Sequence, residues 1–484
     1  MLSIWIAAED MDPELMRMEP SLLNADSPFV ALHHEVVDWV EARRQSTAFD
    51  DSHLQVMFDQ CKALIIGLQK RGAVVGSSLN TAYLLERLSQ TLERLETLMA
   101  IFVSNRYLPR RILLLTGCFA RAAAERHSIS RLWKQSSGLM ARSVTQNAGD
   151  HGEHYITRDK KEYWAMFYSA AGGGVLIALM ALFKTYLGSI IDDKVWKGIA
   201  EGLNYGLGFM VIFMLHFTVA TKQPAMTAAR FAEAVEKTPQ GKTVNMKLAQ
   251  LLVDVFRSQS IAVLGNVLIA MGLAALIAFG YQYKTGEPLM NADQIAYQLH
   301  SIDPFAGTLW FAAIAGVWLF CSGIISGYFD NRSNYLNMRM RLTQHPLLKK
   351  LMSEKTRVKF ANYMHENYGS LIGNLCFGML LGITGVVGYL THLPLDIRHV
   401  AFSSANVGYI AVSGHFTYSL LLQCIAFVLL IGLVNLIVSF SLTLWVALRS
   451  LNAEIDSWWP IWHEVCQIVK KRPLSLFLPV QLDK

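Results

Sequence analysis

Six polar side chains stand inside stretches of the chain that are otherwise apolar: Asn204, His216, Asn266, Asn374, Gln423 and Asn435. An unpaired amide or imidazole is costly in such surroundings, so each must bond to a neighbouring helix or line a wet cavity. The chemistry open to them is hydrogen bonding, as glue between helices or as the wall of a solute path. No carboxylate accompanies them in those stretches, so a proton relay is not expected. A second set lies at the edges of the same stretches: Thr221, Lys222, Gln223 and Pro224, then Asp330, Asn331 and Arg332, then Asp396 and Arg398, with Ser403, Ser404 and Asn406 close behind. Pro224 stops a helix there, and Lys222 is placed to neutralise its last carbonyls.

Other candidate chemistry is thin. Gly241, Lys242 and Thr243 resemble the end of a phosphate-binding loop, but Glu236 occupies the position of its first glycine and no strand precedes it. His151 with His154, and His463 with Cys466, are fragments of metal-ligand spacing without the three or four ligands that a zinc site needs. No metal and no cofactor is expected. The six cysteines are far apart and form no CxxC, which implies reduced thiols.

The elements that must hold these residues are set by hydropathy. Apolar residues make up 53% of the 484 residues and charged ones 17%, which is not the composition of a soluble protein. Six charge-free tracts reach the roughly 20 residues that cross a hydrocarbon core of about 30 Å. They are Trp164 to Phe183, Gly202 to Thr221, Ser258 to Tyr283, Pro304 to Phe329, Asn367 to Leu395 and Ser419 to Leu448. Trp164, Tyr186, Trp196, Tyr283, Trp310, Tyr328 and Trp445 near their ends suit the membrane interface. Gly172 to Gly174, the pairs Gly202/Gly206 and Gly323/Gly327, and the series Gly378, Gly382, Gly385, Gly388 suit close helix crossings.

Lys and Arg alternate between the loops. Loop 222 to 257 carries six and loop 330 to 366 eight, against one each in 284 to 303 and 391 to 418, and three in 184 to 201. Cytoplasmic loops are the basic ones, which puts both termini inside. The first 25 residues are interrupted by Glu9, Asp10, Asp12, Glu14 and Glu19 and have no room for a signal peptide. Val400 to Gly414 is uncharged but only about 15 residues, and reads as a re-entrant or interfacial piece.

The expected fold is all-α: a polytopic membrane helix bundle of six transmembrane helices with an N-terminal cytoplasmic helical domain. Residues 1–150 form that domain, 151–163 a juxtamembrane linker, 164–448 the spans and 449–484 a cytoplasmic tail. Asn147 to Glu153 marks the main boundary. Leu85, Leu88, Leu92, Leu95, Met99 and Phe102 form an a/d seam for a bundle core, with dimerisation or a protein partner as the alternative use. Residues 105 to 163 carry 11 Lys and Arg against five acids, including Arg106, Arg110, Arg111, Arg121, Arg126, Arg131, Lys134 and Arg142. Beside a cytoplasmic face this patch suits anionic lipid headgroups, and facing away from the membrane it would suit nucleic acid.

Several long motifs then carry a resemblance: ITRDKKEYWAMFYSAAGGGV from Ile156, GLNYGLGFM from Gly202 with TVATKQPAMTA ending at Ala228, GYFDNRSNY from Gly327, HPLL from His345, LPLDIRHVAFSSAN from Leu393 and GLVNLIVSFSLTLWVALR from Gly432. Together they resemble a bacterial family of integral membrane proteins named site-specific recombinases, of the gonococcal crossover recombinase type. The resemblance covers essentially the whole chain and implies an inner-membrane protein, often with a longer N-terminal portion than here. Its name implies DNA strand exchange. Tyrosine recombinases often carry His-x-x-Arg, yet none of the 14 histidines is followed by Arg three residues on, and the N-terminus has no α/β pattern to hold a serine nucleophile. No catalytic residue is assigned and no DNA cleavage is expected. The leading reading is an inner-membrane member of this family whose activity the residues do not specify. The alternatives are a membrane-associated recombination factor binding DNA through Arg106 to Arg142, a transporter or channel built on the polar intramembrane residues, and a scaffold recruiting a partner through the leucine seam.

Overall fold

Short capping signals start most helices of the N-terminal region, and an apolar stripe along each then finds a partner. The computed structural model describes residues 1–23, 27–45, 49–103, 108–125, 156–157, 159–220, 228, 231, 234–235, 242–412, 416–450, 455 and 457–479. Among these every regular element is helical and there is no strand. Arg106, Arg126, Arg131, Lys134, Arg142, the boundary Asn147 to Glu153, and Thr221 to Pro224 lie outside the described residues. Phe102, Arg111 and Arg121 are described by backbone alone.

Two units emerge from the packing, Met1–Ser143 with Asn331–His365, and Val144–Asp330 with Glu366–Lys484. The first contains α1 (Leu2–Ala8), α2 (Pro13–Met18), α3 (Pro28–Arg44), α4 (Asp51–Val75), α5 (Leu79–Val103) and α6 (Leu108–Glu125). Ser27 caps α3 by accepting from the Phe29 amide at 3.2 Å, with Pro28 in the first turn. Asp50 does the same for α4 through Ser52 at 2.9 Å. Leu85, Leu88, Leu92, Leu95 and Met99 are all buried, packed with Phe29, Leu32, Phe58 and Leu68 in one core. The seam thus forms the interior of this bundle and is not an exposed stripe.

A linear division would leave residues 331–365 with the membrane domain, but they group with the N-terminal helices. Asn331 explains this: its side chain accepts from the Ser77 amide at 3.0 Å and donates to the Ser77 carbonyl at 2.8 Å. Tyr335 donates to Glu14 at 2.9 Å, under the Arg17 guanidinium at 4.6 Å from its ring. Gly76, at φ +80°, lets the loop lie directly on the backbone of Asn331 and Tyr335, where a Cβ would collide.

The second unit is built from α7 (Lys160–Ile190), α8 (Lys194–Met214), α9 (Lys242–Thr285), α10 (Ala292–Ile302) and, as far as Asp330, α11 (Thr308–Tyr335). After α12 (Met338–Gln344) and α13 (Pro346–Leu351) of the first unit come α14 (Glu354–Thr391), which counts to the second unit from Glu366 on, α15 (Val400–Ala411), α16 (Tyr418–Ser450) and α17 (Trp459–Lys471). Five described helices are long and apolar enough to cross a membrane: α7, α9 over Met246–Thr285, α11, α14 and α16. The shortest of them, at 28 residues, measures about 42 Å against a core of about 30 Å.

The second of the six expected spans, Gly202 to Thr221, takes a different form. Helix α8 begins earlier, at Lys194, and ends at Met214, followed by His216 with φ 58°. Its first two turns carry Lys194, Lys197 and Glu201, which keeps it out of the set of purely apolar spanning helices. Residues 217–219 then run without helix, and Asn266 of α9 ties this stretch to α7: its Oδ1 accepts from the Ala220 amide at 2.9 Å, and its Nδ2 donates to the carbonyls of Thr218 at 2.9 Å and of Ala170 on α7 at 2.5 Å. Irregular backbone is tolerated at such depth only when protein covers and bonds it. Gly173 makes room for it, since a Cβ there would strike the Thr218 carbonyl.

Helices α8 and α14 cross backbone to backbone. A Cβ on Gly378 would strike Gly206, and one on Gly382 would strike Gly202, which is the small-residue spacing used for close crossings. Helix α15, at 12 residues and about 18 Å, is too short to span, and ten of its residues are buried. Tyr409 ties it to α7 by donating to the Ala178 carbonyl at 2.7 Å.

Candidate functional site

Helices α7 and α8 are joined by a tight connection, with Asp193 capping α8 through the amides of Val195 and Trp196 at 3.0 and 2.8 Å. The turn brings the end of α7 beside the start of α8, so Lys184 meets Glu201 at 3.4 Å. Lys197, Glu201 and Tyr205 recur every four residues and share one face of α8. The Lys184 ammonium also sits 5.6 Å from the Tyr205 ring.

Helix α10 supplies the facing wall. Asn291 and Gln294 form a capping box at 2.9 and 3.0 Å, which fixes the first turn carrying Asp293. Arg398 closes the third side: its Nε donates to the Ser301 carbonyl at 2.8 Å and its Nη1 to Asp396 at 2.6 Å and to the Ile397 carbonyl at 2.8 Å. These groups enclose a cavity of about 500 Å³ at one end of the second unit, lined also by Tyr297, Gln298, Ser403 and Asn406.

The cavity ends on an aromatic floor. His399 lies 5.8 to 6.3 Å, centroid to centroid, from Phe402, Phe377 and Phe209, and Tyr205 lies 4.5 Å from Phe402. Phe209, Phe377 and Phe402 belong to the main buried core of the unit. Burial among these rings disfavours the imidazolium and pushes the His399 pKa down to about 4. The result is a polar cup on an apolar base.

Asp396, Arg398, Ser403 and Asn406 from the sequence-derived set line this cup. Ser404 is fully buried and bonds inside its own helix, to the Ala401 carbonyl at 2.7 Å. The six polar residues of the apolar tracts do not converge on the cavity. Asn204 donates to the Met180 carbonyl at 2.9 Å and Asn374 to the Ser370 carbonyl at 2.8 Å. Asn266 holds the end of α8, and Asn435 holds the start of α15, accepting from Val400 at 3.2 Å and donating to Ala312 at 2.7 Å and Arg398 at 3.0 Å. Gln423 and His216 are exposed on the unit's surface. Elsewhere, Asp330 accepts from the Gly369 amide at 2.9 Å, Arg332 is exposed, and Arg110 is exposed on α6.

Lys184, Lys197, Glu201, Tyr205, Asp293, Gln294, Tyr297 and His399 do not stand out in the sequence. The signal available is the i, i+4, i+8 spacing of Lys197, Glu201 and Tyr205, a polar face in a helix otherwise rich in glycine and apolar residues. Among the described residues no group of three His, Cys, Asp or Glu side chains is placed to hold a metal ion.

A family model described as site-specific recombinase matches residues 1–479. No curated protein and no solved structure matches the chain.

Proposed function

This chain belongs to the site-specific recombinase family, and from that premise we propose that it is a bacterial inner-membrane protein whose second unit takes up a small polar solute. The observation that carries the reading is the cavity of about 500 Å³, walled by Lys184, Lys197, Glu201, Asp293, Asp396 and Arg398. Sites for small molecules are concave, of about 300–1,000 Å³, with a few convergent polar groups. Charged groups from three separate segments of the chain, Lys184 to Glu201, Asp293, and Asp396 to Arg398, converge on one open cup, as the site of a polar ligand requires. The floor of Tyr205, His399 and Phe402, with Phe209 and Phe377 packed in the core behind it, favours a binding cup over an open channel.

In this reading α8 with the non-helical residues after it completes a sixth crossing, which keeps both termini cytoplasmic. Loops 284–303 and 391–418 carry one basic residue each and lie on the opposite side, so the cup opens away from the cytoplasm.

The test is thermal unfolding of the full chain in lipid nanodiscs with amino acids, dipeptides, sugars, polyols and inorganic anions. A ligand that binds only the folded state raises the midpoint with concentration. At least one class should do so, and the paired substitution Lys184→Met with Glu201→Gln should abolish the shift. No shift with any class would end this reading.

A second reading follows the family's name: a membrane-associated DNA recombination factor using the basic residues around Arg110. It predicts DNA binding that weakens steeply with salt and, for strand cleavage, protein-linked DNA after SDS quenching of reactions with supercoiled DNA and Mg²⁺. Absence of linked DNA removes the cleavage version.

A further inference from the structure

We infer that the cavity selects a zwitterion, a small molecule carrying both a carboxylate and an ammonium group. The inference rests on the reading of this cavity as a solute site. Its lining holds three cations, Lys184, Lys197 and Arg398, and three carboxylates, Glu201, Asp293 and Asp396. Four of these neutralise one another within the wall, Lys184 with Glu201 at 3.4 Å and Arg398 with Asp396 at 2.6 Å. Arg398 is further committed to the Ser301 carbonyl at 2.8 Å.

Lys197 and Asp293 remain. Neither makes an ion pair with any described residue, and they stand on different walls, Lys197 on α8 and Asp293 in the first turn of α10. Lys197 reaches its place over Gly188, where a Cβ would come within 3.1 Å of Nζ, so the missing side chain on α7 makes room for the ammonium. A singly charged ligand would pair with one of these groups and leave the other, exposed Asp293 or half-buried Lys197, to water alone. A neutral polyol would satisfy neither. A zwitterion supplies a carboxylate to Lys197 and an ammonium to Asp293, and the lining stays neutral overall. The rings of Tyr205 and Phe402 below offer a surface for the ligand's apolar part.

The experiment uses the full chain in nanodiscs and titrates L-amino acids and dipeptides, each beside its N-acetyl derivative, which lacks the ammonium, and its carboxamide, which lacks the carboxylate. Affinity is read from ligand-dependent thermal shifts. The zwitterion should bind at least about tenfold more tightly than either derivative, a factor worth about 1.4 kcal/mol. In Lys197→Met the carboxamide should match the zwitterion, and in Asp293→Asn the N-acetyl derivative should do so. Lys197→Arg should keep the preference, and monodispersity on size exclusion separates misfolding from lost recognition. Equal binding of the derivatives by the unsubstituted protein, or an unchanged preference in both variants, overturns the inference. Binding of sugars or inorganic anions in place of zwitterions overturns it while leaving the solute site standing. No binding by any class removes both.

Discussion

The side-chain oxygen of Asn435, midway along α16, accepts a hydrogen bond from the backbone amide of Val400 at 3.2 Å and so caps the buried helix α15. His399, in the cap position, does not cap the helix with its own side chain. The same Asn435 side chain donates to the carbonyls of Ala312 and Arg398.

Asn435→Leu should therefore leave the Val400 amide and the Arg398 carbonyl without their partner, while the Ala312 carbonyl keeps its bond within α11, at a cost of about 1–3 kcal/mol for each orphaned group before relaxation. Its thermal midpoint should fall clearly below that of the parent chain, and ligand shifts at the cup should disappear because α15 carries its floor. An unchanged midpoint would show that water or another side chain takes over the cap.

The crossing of α8 on α14 makes a paired prediction. Gly378→Ala places a methyl group against the backbone of Gly206, whereas at Gly385 a Cβ would meet nothing within 4 Å. Overpacking costs typically about 1–3 kcal/mol. The Gly378 variant should lose most of its monodisperse fraction on size exclusion, while Gly385→Ala should behave like the parent. Similar behaviour of the two would mean that the helices separate without penalty.

Cysteine labelling tests burial and orientation together. Cys118 and Cys466 are exposed, while Cys61 and Cys424 are buried. Burial also pushes the Cys61 thiol up to about 12, which leaves almost no thiolate at neutral pH. An impermeant maleimide should label Cys118 and Cys466 in inverted vesicles and neither in intact spheroplasts. Labelling of one from each side would contradict the assignment of both termini to the cytoplasm.

His399 gives the expected pH dependence. Its folded pKa, about 4, lies below its ordinary 6.5. As pH falls below 6.5 the unfolded chain takes up a proton that the folded chain refuses, so the stability present above that pH is lost progressively down to about 4. The loss should amount to roughly 3 kcal/mol, at about 1.36 kcal/mol for each unit of difference. Thermal midpoints of the parent chain at pH 7.5 and 4.5 should differ by more than those of His399→Gln, and equal differences would assign acid sensitivity to other groups.

Much of the architecture could be read from residue order alone. Helix periodicity placed Leu85 to Met99 along one buried stripe, and hydropathy located the tracts that became α7, α9, α11, α14 and α16, because both signals depend on neighbours within a few turns. The length of Val400 to Gly414 already favoured a re-entrant or interfacial piece over a full crossing. The end of α8 was not legible in the same way, since Asn266, whose amide holds the non-helical backbone after it, is about 50 residues further along the chain.

The cup followed the same division. Asp396, Arg398, Ser403 and Asn406 stood out because they interrupt or border apolar sequence, but Lys184, Lys197, Glu201 and Asp293 looked like ordinary loop charges. Sequence by itself determined a helical protein with long apolar spans and close-packing glycines, because those properties reside in local composition and spacing. Only the tertiary structure decided which charges neutralise one another and which face a common cavity. That depends on helix crossings and on connections between residues from Lys184 to Asn406, distances over which periodicity carries no information.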